Sequence, residues 1–304
     1  MPEPTRLRPA LMMLAAAVLF GTTGTAQAFG PASANPLSVG AIRQVIGGSV
    51  LLAIVVAWWL RVHGARLPRW SGKASWVVLG GVCVMAFQAT FFFGTRGNGV
   101  AVGTVIALGS SPLFAGLFDW LRGHRASPRW LAATSLAVVG ILLLSGVVIG
   151  RAVTLQPVGV LASLVAGAAY AGYAVAAEEV VQQGVSALPA TAAIVGTSGL
   201  IGAAVLPFTD NSWLAEPRGL AVALWLGAVT VVVSYLLMGA ALQHLRASTA
   251  ITLGLAEPLT AAILGVAVLG ETLAPLQVAG VLLVLGGVLI AGTGMAVARV
   301  PAVA

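Results

Sequence analysis

The class of fold is decided by the segment LGLAEPLTAAILGVAVLGETLAPLQVAGVLLVLGGVLIAGTG, residues 253–294. It holds two long apolar runs, and its charged residues are Glu257 and Glu271. A helix that crosses a bilayer needs roughly 20 mostly apolar residues, and each run approaches that length. The segment therefore predicts two consecutive transmembrane helices joined by a short turn.

The composition extends this interpretation to the whole chain. Hydrophobic residues make up 59% of the 304 residues and charged residues 8%, and the mean hydropathy is +1.03. A soluble domain carries roughly 25% charged residues, so this chain needs the bilayer as its solvent. The net charge of +7 does not indicate nucleic-acid binding, because the basic residues lie in short loops. With the single cysteine Cys83 and no Cys/His ligand spacing, we expect no metal and no cofactor.

Ten apolar runs predict an all-α polytopic membrane protein with ten transmembrane helices. The first run follows Arg6 and Arg8 like the core of a signal peptide, but it is long enough to span, so we expect no cleaved signal. The expected spans are 9–29, 37–60, 75–93, 98–121, 130–149, 158–180, 188–207, 218–242, 247–270 and 275–297.

The basic residues predict the orientation of these helices. With a cytoplasmic N-terminus, eleven Lys and Arg residues fall on the cytoplasmic side and three on the outer side, while Arg43 lies within a helix. We therefore expect a multi-pass protein of the cell (inner, cytoplasmic) membrane with both termini in the cytoplasm.

The chain also repeats itself. With a shift of 146 residues, Pro112 aligns with Pro258 and Gly140 with Gly286. This match predicts two repeats of five helices, residues 1–150 and 151–304. An odd number of helices per repeat inverts the second one in the membrane, an arrangement typical of alternating-access carriers.

Several of these residues carry a resemblance to EamA-type carriers of the drug/metabolite transporter superfamily. Segment 253–294 resembles the closing signature of that family in Glu257-Pro258, in Gly270-Glu271 and in the Gly-spaced tenth helix. Residues 19–29 and 159–175 are similar to the openings of its two repeats. The resemblance implies ten helices, a central cavity and export of amino acids or related metabolites. The sequence departs from the family at residues 123–125, where Gly-His-Arg replaces the usual Gly-Glu.

Glu257 is the most informative candidate residue. It lies about ten residues, roughly 15 Å, into the ninth helix, near the middle of the bilayer. A carboxyl group there must face water or the interior of the bundle. It either binds a solute amine, carries a coupling proton, or forms a structural hydrogen bond between helices. Pro112 and Pro258 lie at corresponding depths and predict paired helix breaks for gating, with a simple packing kink as the alternative.

Other polar side chains within the spans are candidates for substrate binding or coupling. Arg43, in the second helix, attracts a solute carboxylate, pairs with an acid, or extends to the interface. Tyr170 and Tyr173 share one helix face and offer hydroxyl or cation–π contacts to an amine. Gln88 and Tyr235 either line the same cavity or form hydrogen bonds between helices.

Three acids are assigned no functional role. Asp119, Glu178 and Glu179 fall near the inner ends of their helices. We expect them in water or among lipid headgroups.

The inverted repeats and the few polar residues within the spans favour a secondary transporter that works by alternating access. The resemblance implies that it moves small metabolites, amino acids or related amines, outward. Its partners are the solute, membrane lipid and, as a candidate coupling ion, the proton; the oligomeric state stays open. Efflux of drugs or cations and translocation of a lipid-linked substrate remain alternatives. An enzyme is not expected, because no nucleophile–base pair or metal cluster falls within the spans.

Overall fold

Ten apolar helices make up most of the protein. The computed structural model describes residues 4–63, 73–98, 100–144, 156–270 and 272–293. Within these ranges nine helices are long enough to span a bilayer, and the fifth is a shorter apolar helix. The helices are α1 (Pro4–Ala28), α2 (Pro36–His63), α3 (Ala74–Asn98), α4 (Val100–Leu121), α5 (Pro128–Leu144), α6 (Pro157–Gln182), α7 (Ala187–Val205), α8 (Pro217–Leu242), α9 (Ala247–Leu269) and α10 (Pro275–Thr293).

Six helices start at a proline: Pro4, Pro36, Pro128, Pro157, Pro217 and Pro275. At the first helical position the missing N–H has no partner within a helix, and the φ of proline is already helical. A left-handed glycine follows the end of α4, α6 and α9, and in α9 it lies at position 270 with φ of 71°. Within the described residues the expected helix positions are confirmed, with ends shifted by up to five residues, whereas residues 145–149 and 294–297 of the expected spans lie outside the described residues.

The third and fourth helices differ most from expectation at their junction. The predicted break at 94–99 is helical as far as Asn98, and residue 99 lies outside the described residues. The Asn98 amide closes α3 by donating to the Gln156 carbonyl at 3.3 Å and accepting from the Gln156 N–H at 2.6 Å. The side chain that ends the helix thus contacts the start of α6, which short-range patterns do not reveal.

The first and second sets of five helices form two repeats of opposite orientation, as the odd number of helices per repeat requires. The expected boundary between residues 150 and 151 falls outside the described residues and stays a prediction. The last helices of the two repeats, α5 and α10, approach closely at glycines. A methyl group on Gly280 would lie 2.6 Å from the Gly140 carbonyl oxygen and 2.5 Å from the Leu144 nitrogen.

Two helices of the second repeat are irregular. In α8, residues Trp225–Val233 form a π-helical segment, and such segments occur frequently at functional sites. In α9, the helix is interrupted at Leu255, between Ala247–Gly254 and Ala256–Leu269. Pro258 lacks an N–H and its ring crowds the carbonyl four residues earlier, at Gly254, which explains the interruption one turn before it.

The close approach of α5 and α10 predicts that Gly280→Ala lowers the stability of the protein. The added methyl group meets backbone atoms, which cannot move aside as a flexible side chain can, and overpacking of this kind costs about 1–3 kcal/mol. Gly109→Ala in α4 is the matched control, because nothing lies within 4 Å of the added methyl group. Thermal unfolding of the purified variants in detergent measures both effects. Equal unfolding temperatures for the two variants would contradict this account of the α5–α10 contact.

Candidate functional site

A central cavity of about 690 Å³ lies between the two repeats. All ten helices except α7 contribute to its wall, and the residues Ala28, Pro36, Leu144, Leu269 and Leu273 extend it to the face where α1 ends and α2 begins. Seven of the eight predicted site residues line it: Arg43, Gln88, Tyr170, Tyr173, Tyr235, Glu257 and Pro258. The structure therefore brings together residues that are up to 215 positions apart in the sequence, from 43 to 258.

Pro112 is the predicted site residue that lies elsewhere. It is not among the cavity-lining residues, and α4 continues through it without a break from Val100 to Leu121. The Ser111 hydroxyl donates to the Leu108 carbonyl at 2.8 Å, and this is the carbonyl that Pro112 deprives of its usual partner. The expectation of paired helix breaks was therefore wrong for Pro112, because a neighbouring side chain satisfies the freed backbone group.

Arg43 and Glu257 give the cavity two opposite charges. Among the described lining residues, they are the single basic and the single acidic side chain. Arg43 is 7% exposed, and its Nη2 donates to the Thr230 hydroxyl in the π-helical segment of α8 at 3.4 Å. Its guanidinium thus points inward, which excludes the alternative that it extends to the interface. In the part of the chain that the structure describes, Arg43 and Glu257 make no direct ion pair with each other.

Aromatic rings line the cavity beside these charges. Tyr235 contacts Tyr173 and Phe20 edge to face, with ring centroids 5.1 Å and 5.3 Å apart. Phe87 lies against Tyr170 at 5.5 Å. Contacts between these aromatic rings therefore hold much of the cavity wall in place, and a few polar groups lie between the rings.

Several polar atoms in this wall have no partner. The hydroxyl groups of Tyr170 and Tyr173 and the Nε of Arg43 are buried without a hydrogen bond in the described structure. Most buried polar groups in proteins are hydrogen-bonded, so unpartnered ones around a cavity indicate a place for a polar ligand or water. The expectation that Tyr170 and Tyr173 share one face, directed at a cavity, agrees with this placement.

Comparisons with known proteins decide the family. The model of the EamA-like transporter family matches residues 7–146 and 157–293, one copy for each repeat. The chain belongs to the EamA-like transporter family. It is a multi-pass membrane transporter of small metabolites and not an enzyme.

Two relatives and one solved structure resemble this EamA-like transporter along nearly its whole length. It is 39% identical to "Uncharacterized transporter YwfM" of Bacillus subtilis (strain 168) over 92% of each chain. It is 30% identical to "Threonine/homoserine exporter RhtA" of Escherichia coli (strain K12), over 96% of this chain and 92% of that one. A crystal structure shares its fold with a TM-score of 0.76 at 22% identity, covering 93% of this chain and 97% of the other.

The face opposite the cavity mouth is held together by ion pairs in this EamA-like chain. Arg122, at the end of α4, contacts Asp119 at 3.2 Å, Glu178 at 3.0 Å and also Glu179. Burial of the guanidinium opposes its charge, but the carboxylates of Glu178 and Glu179 outweigh that effect and raise the pKa of Arg122. Glu178 also accepts from the Ala247 N–H at 3.1 Å, so the cluster joins α4, α6 and α9.

This cluster corrects the expectation for Asp119 and Glu178, which we expected in water or among headgroups. Glu178 is 1% exposed and Asp119 is 5% exposed. Spacing along the chain does not reveal the cluster, because Arg122 is 56 positions from Glu178. The available signal was the pair of acids at 178–179 inside an otherwise apolar helix, next to an arginine at the end of another helix on the same face.

Gln277 is a second residue that sequence reasoning missed. It lies in the first turn of α10, lines the cavity, and donates to the Leu144 carbonyl of α5 at 2.9 Å. Its position as a polar side chain near the start of an apolar helix was the signal that could have identified it.

The unpartnered tyrosine hydroxyl groups predict that Tyr173→Phe leaves the stability of the empty transporter unchanged or slightly higher, since no hydrogen bond is lost. Ser38→Ala is the comparison variant, because it also removes one hydroxyl group. Ser38 accepts from the buried Trp213 Nε1 at 2.8 Å and donates to Asn211 at 2.6 Å, so its removal should cost about 1–3 kcal/mol. Thermal unfolding without added solute compares the two variants. A large loss for Tyr173→Phe would show that its hydroxyl group has a protein partner after all.

Proposed function

We propose that this protein exports amino acids or closely related amines, binding them in the central cavity between Arg43 and Glu257. The observation that carries the proposal is the presence of one cation and one carboxylate in the same cavity wall without a direct ion pair. An amino acid carries a carboxylate and an ammonium group, so it offers each charge a partner. The name of the 30% identical relative, a threonine/homoserine exporter, supports the same solute class.

The contacts of Arg43 suit a carboxylate ligand. One guanidinium nitrogen donates to Thr230, which holds the group in place, while the buried Nε has no partner. Charge-assisted bonds from arginine to a carboxylate are among the strongest hydrogen bonds in proteins. The buried cation also disfavours a solute that is purely cationic, so the geometry supports an amino acid over a cationic drug.

The carboxylate of Glu257 couples the movement of solute to the movement of protons. Its carboxylate binds either a proton or the ammonium group of the solute, and each excludes the other at the same site. A proton that enters from outside therefore displaces the ammonium group, and solute that enters from the cytoplasm displaces the proton. We propose that this competition exchanges protons for solute.

Alternating access requires that the cavity open to one face at a time. The end of α2, the α4–α5 loop and the start of α9 carry Arg61, Arg125 and Arg246 and form what we call the arginine-rich face. In this structure the cavity reaches the opposite face. Towards the other face it is separated from solvent by buried Leu242, Leu245 and Ile251 and by the Arg122 cluster. We propose that the arginine-rich face is cytoplasmic, that both termini lie there in the cell membrane, and that separation of Arg122 from Glu178 and Glu179 opens the cytoplasmic side.

Flux in proteoliposomes tests the proposal, with amino acids, amines and cationic dyes offered as separate solute classes. We expect amino acids to move, and we expect Glu257→Gln to lower their flux at least about tenfold, a loss of about 1.4 kcal/mol of binding. Glu216→Gln is the matched control, because it removes the same charge from an exposed residue before α8. Arg43→Gln should reduce amino-acid flux but spare any flux of simple amines, since these have no carboxylate.

Three results would contradict the proposal. Normal flux in Glu257→Gln would remove Glu257 from the site, and flux of cationic dyes alone would favour drug efflux. Amino-acid flux that is indifferent to an imposed proton gradient in the wild type would leave facilitated diffusion in place of exchange.

A further inference from the structure

A second, smaller cavity lies on the arginine-rich face. Its volume is about 90 Å³, and it lies between the α4–α5 loop, the start of α9 and the end of α10. The central cavity and this smaller cavity have no lining residue in common. Its wall includes residues of both repeats, 124–127 and 129–130 from the first and 246, 248–249 and 290–291 from the second.

The wall of this pocket is strongly basic. Arg125, Arg129 and Arg246 line it, and among the described lining residues Asp119 is the single acid. The Asp119 carboxylate is already engaged by Arg122, which does not line the pocket, at 3.2 Å. Arg125 and Arg246 make no ion pair in the described part of the chain, so these two residues leave positive charge at the pocket.

Polar atoms without a partner lie at the same pocket. Nε1 of Trp130 and Nδ1 of His124 are both buried without a partner. Ser248 and Thr249 lie in the first turn of α9, where backbone N–H groups have no partner within the helix and the helix dipole favours an anion. A compact anion with several oxygen atoms satisfies donors arranged in this way.

We propose that this pocket binds the phosphate group of an anionic phospholipid. The volume suits a phosphate group. The pocket lies at the level of the arginine-rich helix ends, beside the exposed apolar side chains of Leu121 and Leu131, which suit contact with the lipid chains. Basic pockets between transmembrane helices on the cytoplasmic side bind anionic headgroups in other membrane proteins.

Binding there has a consequence for the transport cycle. A phosphate group held by Arg125 and Arg246 links the first repeat to the second, next to the Arg122 cluster that closes this face. The bound lipid therefore stabilises the closed arrangement of the arginine-rich face. This consequence rests on the proposed transport cycle, whereas the binding itself does not.

Native mass spectrometry and thermal unfolding of the purified protein test the proposal. The probes are phosphatidylglycerol, phosphatidylcholine and inorganic phosphate, each added to delipidated protein in detergent. We expect phosphatidylglycerol to bind and to raise the unfolding temperature more than phosphatidylcholine does. Arg125→Gln and Arg246→Gln should each weaken phosphatidylglycerol binding about fivefold, the change expected for one interfacial arginine.

Arg61→Gln is the matched control, because it removes an exposed arginine at the same face, at the end of α2 and outside the pocket. Preserved binding in Arg61→Gln together with weakened binding in both pocket variants supports the site. An equal loss in all three variants would overturn it, since the attraction would then be diffuse. Saturation by inorganic phosphate with no advantage for phosphatidylglycerol would keep the phosphate site but assign it to a soluble ligand. Failure of amino-acid flux with intact lipid binding would refute the transport proposal alone.

Discussion

The need of every backbone N–H and C=O group for a partner inside the bilayer governs this structure. Helices satisfy these groups internally, so irregular backbone is tolerated where protein or water replaces lipid. The interruption of α9 at Leu255 and the π-helical segment of α8 both lie at the centre of the protein, and they carry Glu257 and the Arg43 partner Thr230. The irregularities of the second repeat are thus where the polar contacts of the cavity are made.

The two prolines show how the same residue in two equivalent helices leads to different outcomes. The Ser111 hydroxyl satisfies the carbonyl freed by Pro112, and α4 stays continuous. In α9 the residue before Pro258 is Glu257, and the helix is interrupted. The difference between the two equivalent helices thus lies in the backbone, which is continuous at Pro112 and interrupted one turn before Pro258.

The sequence predicted the number of helices, their approximate positions and seven of the residues that line the cavity. These follow from hydropathy and from the cost of placing polar side chains in a bilayer. It did not predict the Arg122 cluster or the Asn98 contact with Gln156, because both join residues more than 50 positions apart. Both contacts were missed for the same reason. The period of a helix identifies which residues are buried, whereas tertiary packing decides which buried residues meet.

The central claim is that the two faces open in turn around one cavity. Spin–spin distance measurements test it most directly, on a Cys83→Ala background with paired labels at exposed positions. One pair, Leu121 and Ser186, lies at the arginine-rich face, and the other, Ala28 and Thr272, lies at the cavity mouth. The account predicts that adding the transported amino acid or changing the pH populates a state in which the first pair separates while the second pair approaches. Unchanged distances in both pairs, under conditions where the labelled protein still transports solute, would contradict it.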